Sequence, residues 1–121
     1  METPRNTGLP ASLNILDLGG AVNGFTASTS VNTRVVIALG GATKYNTVYL
    51  DNEGSSSGTF IIEEAPIVSY AGVWSVLGTL TFTAGTAVAA FHCPPGAYGA
   101  IGVRMTVAPT GGTIYPTYVG N

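Results

Sequence analysis

The chain has 121 residues, enough for one domain with an ordinary core. Only 8% of it is charged, the formal net charge is -2 and there is one cysteine, Cys93, which excludes a basic nucleic-acid footprint and an internal disulfide. Globular domains carry about 25% charged residues, so neutral Thr, Ser, Asn and Gly must do most of the solvating here.

Residues 1–12 read as an extended N-terminal arm, polar and interrupted by Pro4, Gly8 and Pro10, with no apolar signal-peptide stretch. No apolar run approaches the ~20 residues needed to cross a bilayer as a helix, so no membrane partner is expected. Residues 13–121 read as a single domain of strands punctuated by Gly, Pro, Asn and Ser. The strands are expected at Leu13–Leu18, Gly24–Ser30, Thr33–Leu39, Thr47–Leu50, Thr59–Glu64, Val73–Phe82, Ala87–His92, Ala97–Val107 and Thr113–Val119. In the third, Val35, Ile37 and Leu39 share one face; in the sixth, Trp74, Val76, Leu80 and Phe82 do. Gly40-Gly41, Asp51-Asn52-Glu53-Gly54, Ala84-Gly85, Pro94-Pro95-Gly96 and Gly111-Gly112 supply the reversals, and Gly54–Gly58 reads as a loop tip. The pattern predicts an all-β fold, an antiparallel β-sandwich or jelly roll of about eight to nine strands.

Chemistry-bearing residues are sparse. His92 and Cys93 are neighbours, so on a strand they point to opposite faces and cannot share a metal ion, and the chain has no other His or Cys to complete a zinc site. Asp51, Asn52 and Glu53 lack calcium-loop spacing and read as a solvated turn. Glu63 and Glu64 alternate faces, which disfavours them as an acid–base couple. Gly96, Gly99 and Gly102 recur along a strand without the lysine or following helix of a phosphate loop. No catalytic residue, metal site or cofactor site is therefore expected.

The glycines instead suggest a bend or a close backbone approach. Arg104, on the same strand, is suited to a buried or interfacial carboxylate, or else lies on a solvated face. Tyr45, Tyr49, Tyr70, Trp74, Tyr98, Tyr115 and Tyr118 suit a core, a protein interface or a sugar-stacking platform.

The segment Gly72–Val88 (GVWSVLGTLTFTAGTAV) followed by Cys93–Arg104 (CPPGAYGAIGVR) resembles the small β-sandwich proteins of tailed bacteriophage virions, especially capsid decoration (cement) proteins and related head or fibre proteins. The likeness spans about residues 33–119; the acidic loop lies earlier here, at Asp51–Gly54, and Glu63–Ala71 reads as an insertion before Trp74. The resemblance implies a structural role without catalytic residues, often in a trimer.

The expectation is a virion structural protein, made in the host cytoplasm and resident on the capsid surface, that binds the major capsid protein and stabilises the head shell. Arg5, Tyr98, Arg104, Tyr115 and Tyr118 are the expected interface residues, in a homo-oligomer with a trimer favoured. The alternatives are a carbohydrate-binding sandwich module, with a glycan as ligand, and a tail or baseplate adaptor.

Overall fold

A computed structural model describes residues 15–16, 24–52, 57–83 and 88–121. The described residues contain no helix and form two antiparallel sheets. One sheet has four full strands in the order β2 (Arg34–Ala38), β7 (Ala100–Val107), β4 (Gly58–Ala65) and β5 (Ser75–Phe82). A two-residue strand, β1 (Ile15–Leu16), lies beside β2. The smaller sheet has the order β6 (Val88–His92), β3 (Asn46–Asn52) and β8 (Ile114–Gly120).

The main core draws on both sheets, a sandwich-like arrangement. Val35, Ile37, Phe60, Ile62, Ile101, Val103 and Met105 come from the larger sheet; Val48, Leu50, Ile114 and Tyr118 come from the smaller. Within each strand these residues fall on alternate positions, so they share the inner face. Phe60 anchors the aromatic part of the core. Its ring centroid lies 4.9 Å from that of Phe25 and 6.3 Å from that of Phe82, in tilted and edge-on contacts.

The strand pairs are nested: β4 pairs with β5, β3 with β6 and β2 with β7. The outermost pair is a single bridge, in which Phe25 and Ile114 exchange backbone hydrogen bonds of 2.8 and 3.0 Å. That bridge is what becomes of the strand expected at Gly24–Ser30. Beyond Phe25 the chain turns, because Thr26 and Thr29 bond to each other's backbone, Thr29 N–H to Thr26 O at 3.0 Å and Thr26 N–H to Thr29 Oγ1 at 2.9 Å. Local hydroxyl bonding of this kind competes with a sheet ladder.

Two further expectations are corrected. Asp51 and Asn52 extend β3 instead of opening a turn, with Asp51 paired to both Val88 and Tyr115. The single-face alternation expected from Trp74 to Phe82 is broken by a bulge. Ile62 opposes Gly78 while Glu63 opposes Val76, so Leu77 is an extra residue on β5. Phe82 consequently enters the main core, whereas Trp74 joins a second cluster with Val36, Ala65 and Ala100 on the outer face of the larger sheet. The arm at residues 1–12, including Arg5, and most of the loop tips at Gly54–Gly58 and Ala84-Gly85 lie outside the described residues.

Candidate functional site

The outer face of the larger sheet follows from register. Val35, Ile37, Ile101 and Val103 point into the core, so Arg34, Val36, Gly102 and Arg104 between them point away. Arg34 and Arg104 are direct cross-strand partners, an arrangement of like charges that is unfavourable unless something lies between them. Glu63 on β4 does so. Its side chain is only 2% exposed, and its Oε2 accepts from Arg34 Nε at 2.5 Å and from Arg104 Nε at 3.2 Å. Arg104 also donates a terminal N–H to Asn32 Oδ1 at 3.0 Å. Asn32 holds a left-handed backbone (φ 73°) at the turn into β2, a conformation that asparagine tolerates better than most residues.

Trp74 closes the cluster on one side. Arg34 stacks over its indole at 4.3 Å from the ring centroid, and Trp74 Nε1–H donates to the Tyr70 carbonyl at 3.2 Å. The stacking needs a flat floor, and Gly102 provides it. A Cβ at Gly102 would lie 2.8 Å from Arg34 Cδ and 3.1 Å from the Trp74 ring. Gly99, immediately before the same strand, is closer still to another segment, since a Cβ there would meet the Pro66 carbonyl oxygen at 1.8 Å. Gly99 therefore seats the 66–74 connection that carries Trp74. That connection exposes Ile67, Val68, Tyr70 and Val73, the last at 93%, and Val76 follows on β5.

The expected interface residues divide. Arg104, for which a carboxylate partner and a solvated face were both open, meets the buried carboxylate of Glu63 and stays about a quarter exposed. Tyr115 is half-buried on β8, opposite Asp51 on the outer face of the smaller sheet. Tyr98 and Tyr118 are core residues, so the folded chain does not present their rings to a neighbour. Tyr118 is fully buried because its hydroxyl has partners inside: it donates to Asn46 Oδ1 and lies 3.0 Å from Thr43 Oγ1, while Thr43 donates to the same Asn46 oxygen at 2.5 Å. Tyr98 donates to the Pro94 carbonyl at 2.5 Å. Trp74 is 5% exposed with Arg34 on its face, and this leaves no open indole for a sugar ring.

His92 and Cys93 point to opposite sides of the smaller sheet. His92 is exposed, with Nδ1 3.0 Å from Thr47 Oγ1, whereas Cys93 is buried and desolvation pushes its thiol up to about 11. Among the described residues no three His, Cys, Asp or Glu side chains gather as a metal site would require.

Arg34 and Asn32 were not singled out by the sequence, and Glu63 was weighed only as an acid–base neighbour of Glu64. A signal existed: in a chain with 8% charged residues, any charge within an apolar strand is exceptional, and Arg34, Glu63 and Arg104 are three such charges of mixed sign. No protein-family model, curated protein or solved structure matches the chain.

Proposed function

We propose that the protein is a structural subunit of a bacteriophage virion, a capsid decoration protein that binds the major capsid protein and stabilises the head shell. The observation that carries this reading is the concentration of exposed Ile67, Val68, Tyr70, Val73 and Val76 in one stretch of a charge-poor chain. Large apolar side chains grouped on a surface mark sites that other proteins cover, and the centres of such interfaces are depleted in charge.

The nested strand order supports the same reading by analogy of fold. Four antiparallel pairs wrapped one inside another, with β2-β7-β4-β5 in one layer and β6-β3-β8 plus the Phe25 bridge in the other, are the order a jelly roll requires. Viral capsid domains use that architecture, and so do lectins. Fold alone assigns no function; the exposed apolar surface is what favours assembly.

A protein that binds only the assembled lattice stabilises it by mass action, in proportion to the logarithm of its concentration over Kd. The test mixes purified protein with undecorated heads and follows co-sedimentation and thermal disruption of the shell. Co-sedimentation with a raised disruption temperature is expected. Heads that neither retain the protein nor gain stability would overturn the proposal.

A further inference from the structure

We propose that Arg34 and Arg104 form a receptor for a carboxylate, the Asp or Glu side chain of a protein that covers the outer face of the larger sheet. The cluster holds two guanidinium groups against one carboxylate, Glu63. It is therefore locally cationic on a chain whose net charge is -2. The other described acids do not complete it. Glu64 pairs with Ile101 and so lies on the opposite side of the sheet, and Asp51 belongs to the smaller sheet.

The donors are also incompletely used. Arg34 gives Glu63 only its Nε–H, and among the described residues its terminal nitrogens have no acceptor. Arg104 spends one terminal nitrogen on Asn32. Both side chains remain about a quarter exposed, at 26% and 24%, so water serves these nitrogens in the isolated chain. A neighbour that covers the face removes that water, and a desolvated guanidinium without an acceptor is strongly unfavourable. The covering surface must bring an acceptor of opposite charge.

A planar carboxylate matches the fork of a guanidinium with two parallel hydrogen bonds. The surroundings suit a protein side chain, because Trp74 packs beside Arg34 and exposed Val76 stands across from Glu63 on β5. The neighbour's identity rests on the assembly reading above; the receptor itself is tested without any shell.

The experiment titrates N-acetylglutamate methylamide into the full chain, with N-acetylglutamine methylamide and inorganic phosphate as separate probes. The reporters are the Nε–H resonances of Arg34 and Arg104 and the indole N–H of Trp74. The glutamate derivative should give saturable shifts at all three at millimolar concentration, and the glutamine derivative none. Arg34→Gln should bind roughly tenfold more weakly, the loss expected for a charge-assisted hydrogen bond, and Arg34→Lys should fall between. If Arg34→Gln does not fold, the lysine variant and the glutamine probe decide. Absent or non-saturating shifts, or equal responses to the two derivatives, would overturn the receptor. Tighter binding of phosphate than of the carboxylate would overturn its assignment to a protein side chain. A protein that passes this titration yet ignores heads would retain the receptor and lose the capsid role.

Discussion

Arg34 and Arg104 face each other directly across the β2–β7 ladder, and both donate through Nε to the same oxygen of Glu63. The carboxylate thus converts a cross-strand repulsion into a three-residue clasp joining β2, β7 and β4. Glu63→Gln keeps the shape and removes the charge, which leaves two guanidinium groups facing one another. Breaking a buried pair by removing one partner costs about 3–5 kcal/mol. Because both arginines are partly exposed, a loss of about 2–3 kcal/mol is expected on that scale. Urea denaturation measures it, and replacing all three residues with apolar ones should restore most of the stability.

Gly102→Ala and Gly99→Ala should differ in severity. At Gly102 the obstructing atoms belong to the flexible Arg34 side chain and the Trp74 ring edge. Partial relaxation is available there, and about 1–2 kcal/mol of overpacking cost is expected, with a shift in Trp74 fluorescence. At Gly99 the obstruction is the Pro66 backbone carbonyl, which cannot move without displacing the 66–74 connection. That variant should lose at least about 3 kcal/mol, at the top of the overpacking range. A Gly99→Ala melting temperature equal to or above that of Gly102→Ala would contradict this ranking.

Stability should fall in mild alkali. Burial raises the Cys93 thiol from its ordinary 9.0 to about 11, so the folded state favours the neutral thiol. The contribution is complete below pH 9 and is lost as pH rises through 9 towards 11, amounting to about 2–3 kcal/mol at one pKa unit per 1.36 kcal/mol. Burial pushes Tyr98 and Tyr118 in the same direction, so part of the alkaline loss persists without the cysteine. Cys93→Ala should flatten the 9–11 portion in unfolding free energies measured across that interval, and Cys93 in the native protein should react with thiol reagents only as fast as the protein opens.

Val73 projects almost wholly into solvent and makes little contribution to the fold. Val73→Ser should leave unfolding free energy within about 0.5 kcal/mol of the parent while lowering retention on undecorated heads. Equal retention would remove the 66–74 connection from the proposed contact.

Much of the architecture could be read from the residues, and the misreadings have local physical causes. β2 and β7 each carry large apolar residues at every second position, and the expected strands agree with them to within about three residues at each end. The β5 segment alternates equally well, yet Leu77 bulges and the phase reverses midway, an event that periodicity cannot register because the pattern on either side is intact. Phe25-Thr26-Ala27-Ser28-Thr29 also alternates, but its hydroxyls favour a turn over a ladder. Arg104 could be read as suited to a carboxylate; its partner could not, because Glu63 is distant in sequence and only the topology, which lays β4 beside β7, brings the two together.

The nesting of the strand pairs has a kinetic consequence. Each successive pair, from β4–β5 outward to Phe25 and Ile114, encloses the one before it and closes a longer loop of chain. Loop-closure entropy rises with length, and topologies dominated by distant pairings fold slowly. Zippering from the central hairpin outward keeps each new closure short, because the inner pairs have already drawn its ends together. Destabilising changes around Phe60 and Leu80 should therefore slow refolding, whereas changes at Phe25 and Ile114 should chiefly hasten unfolding.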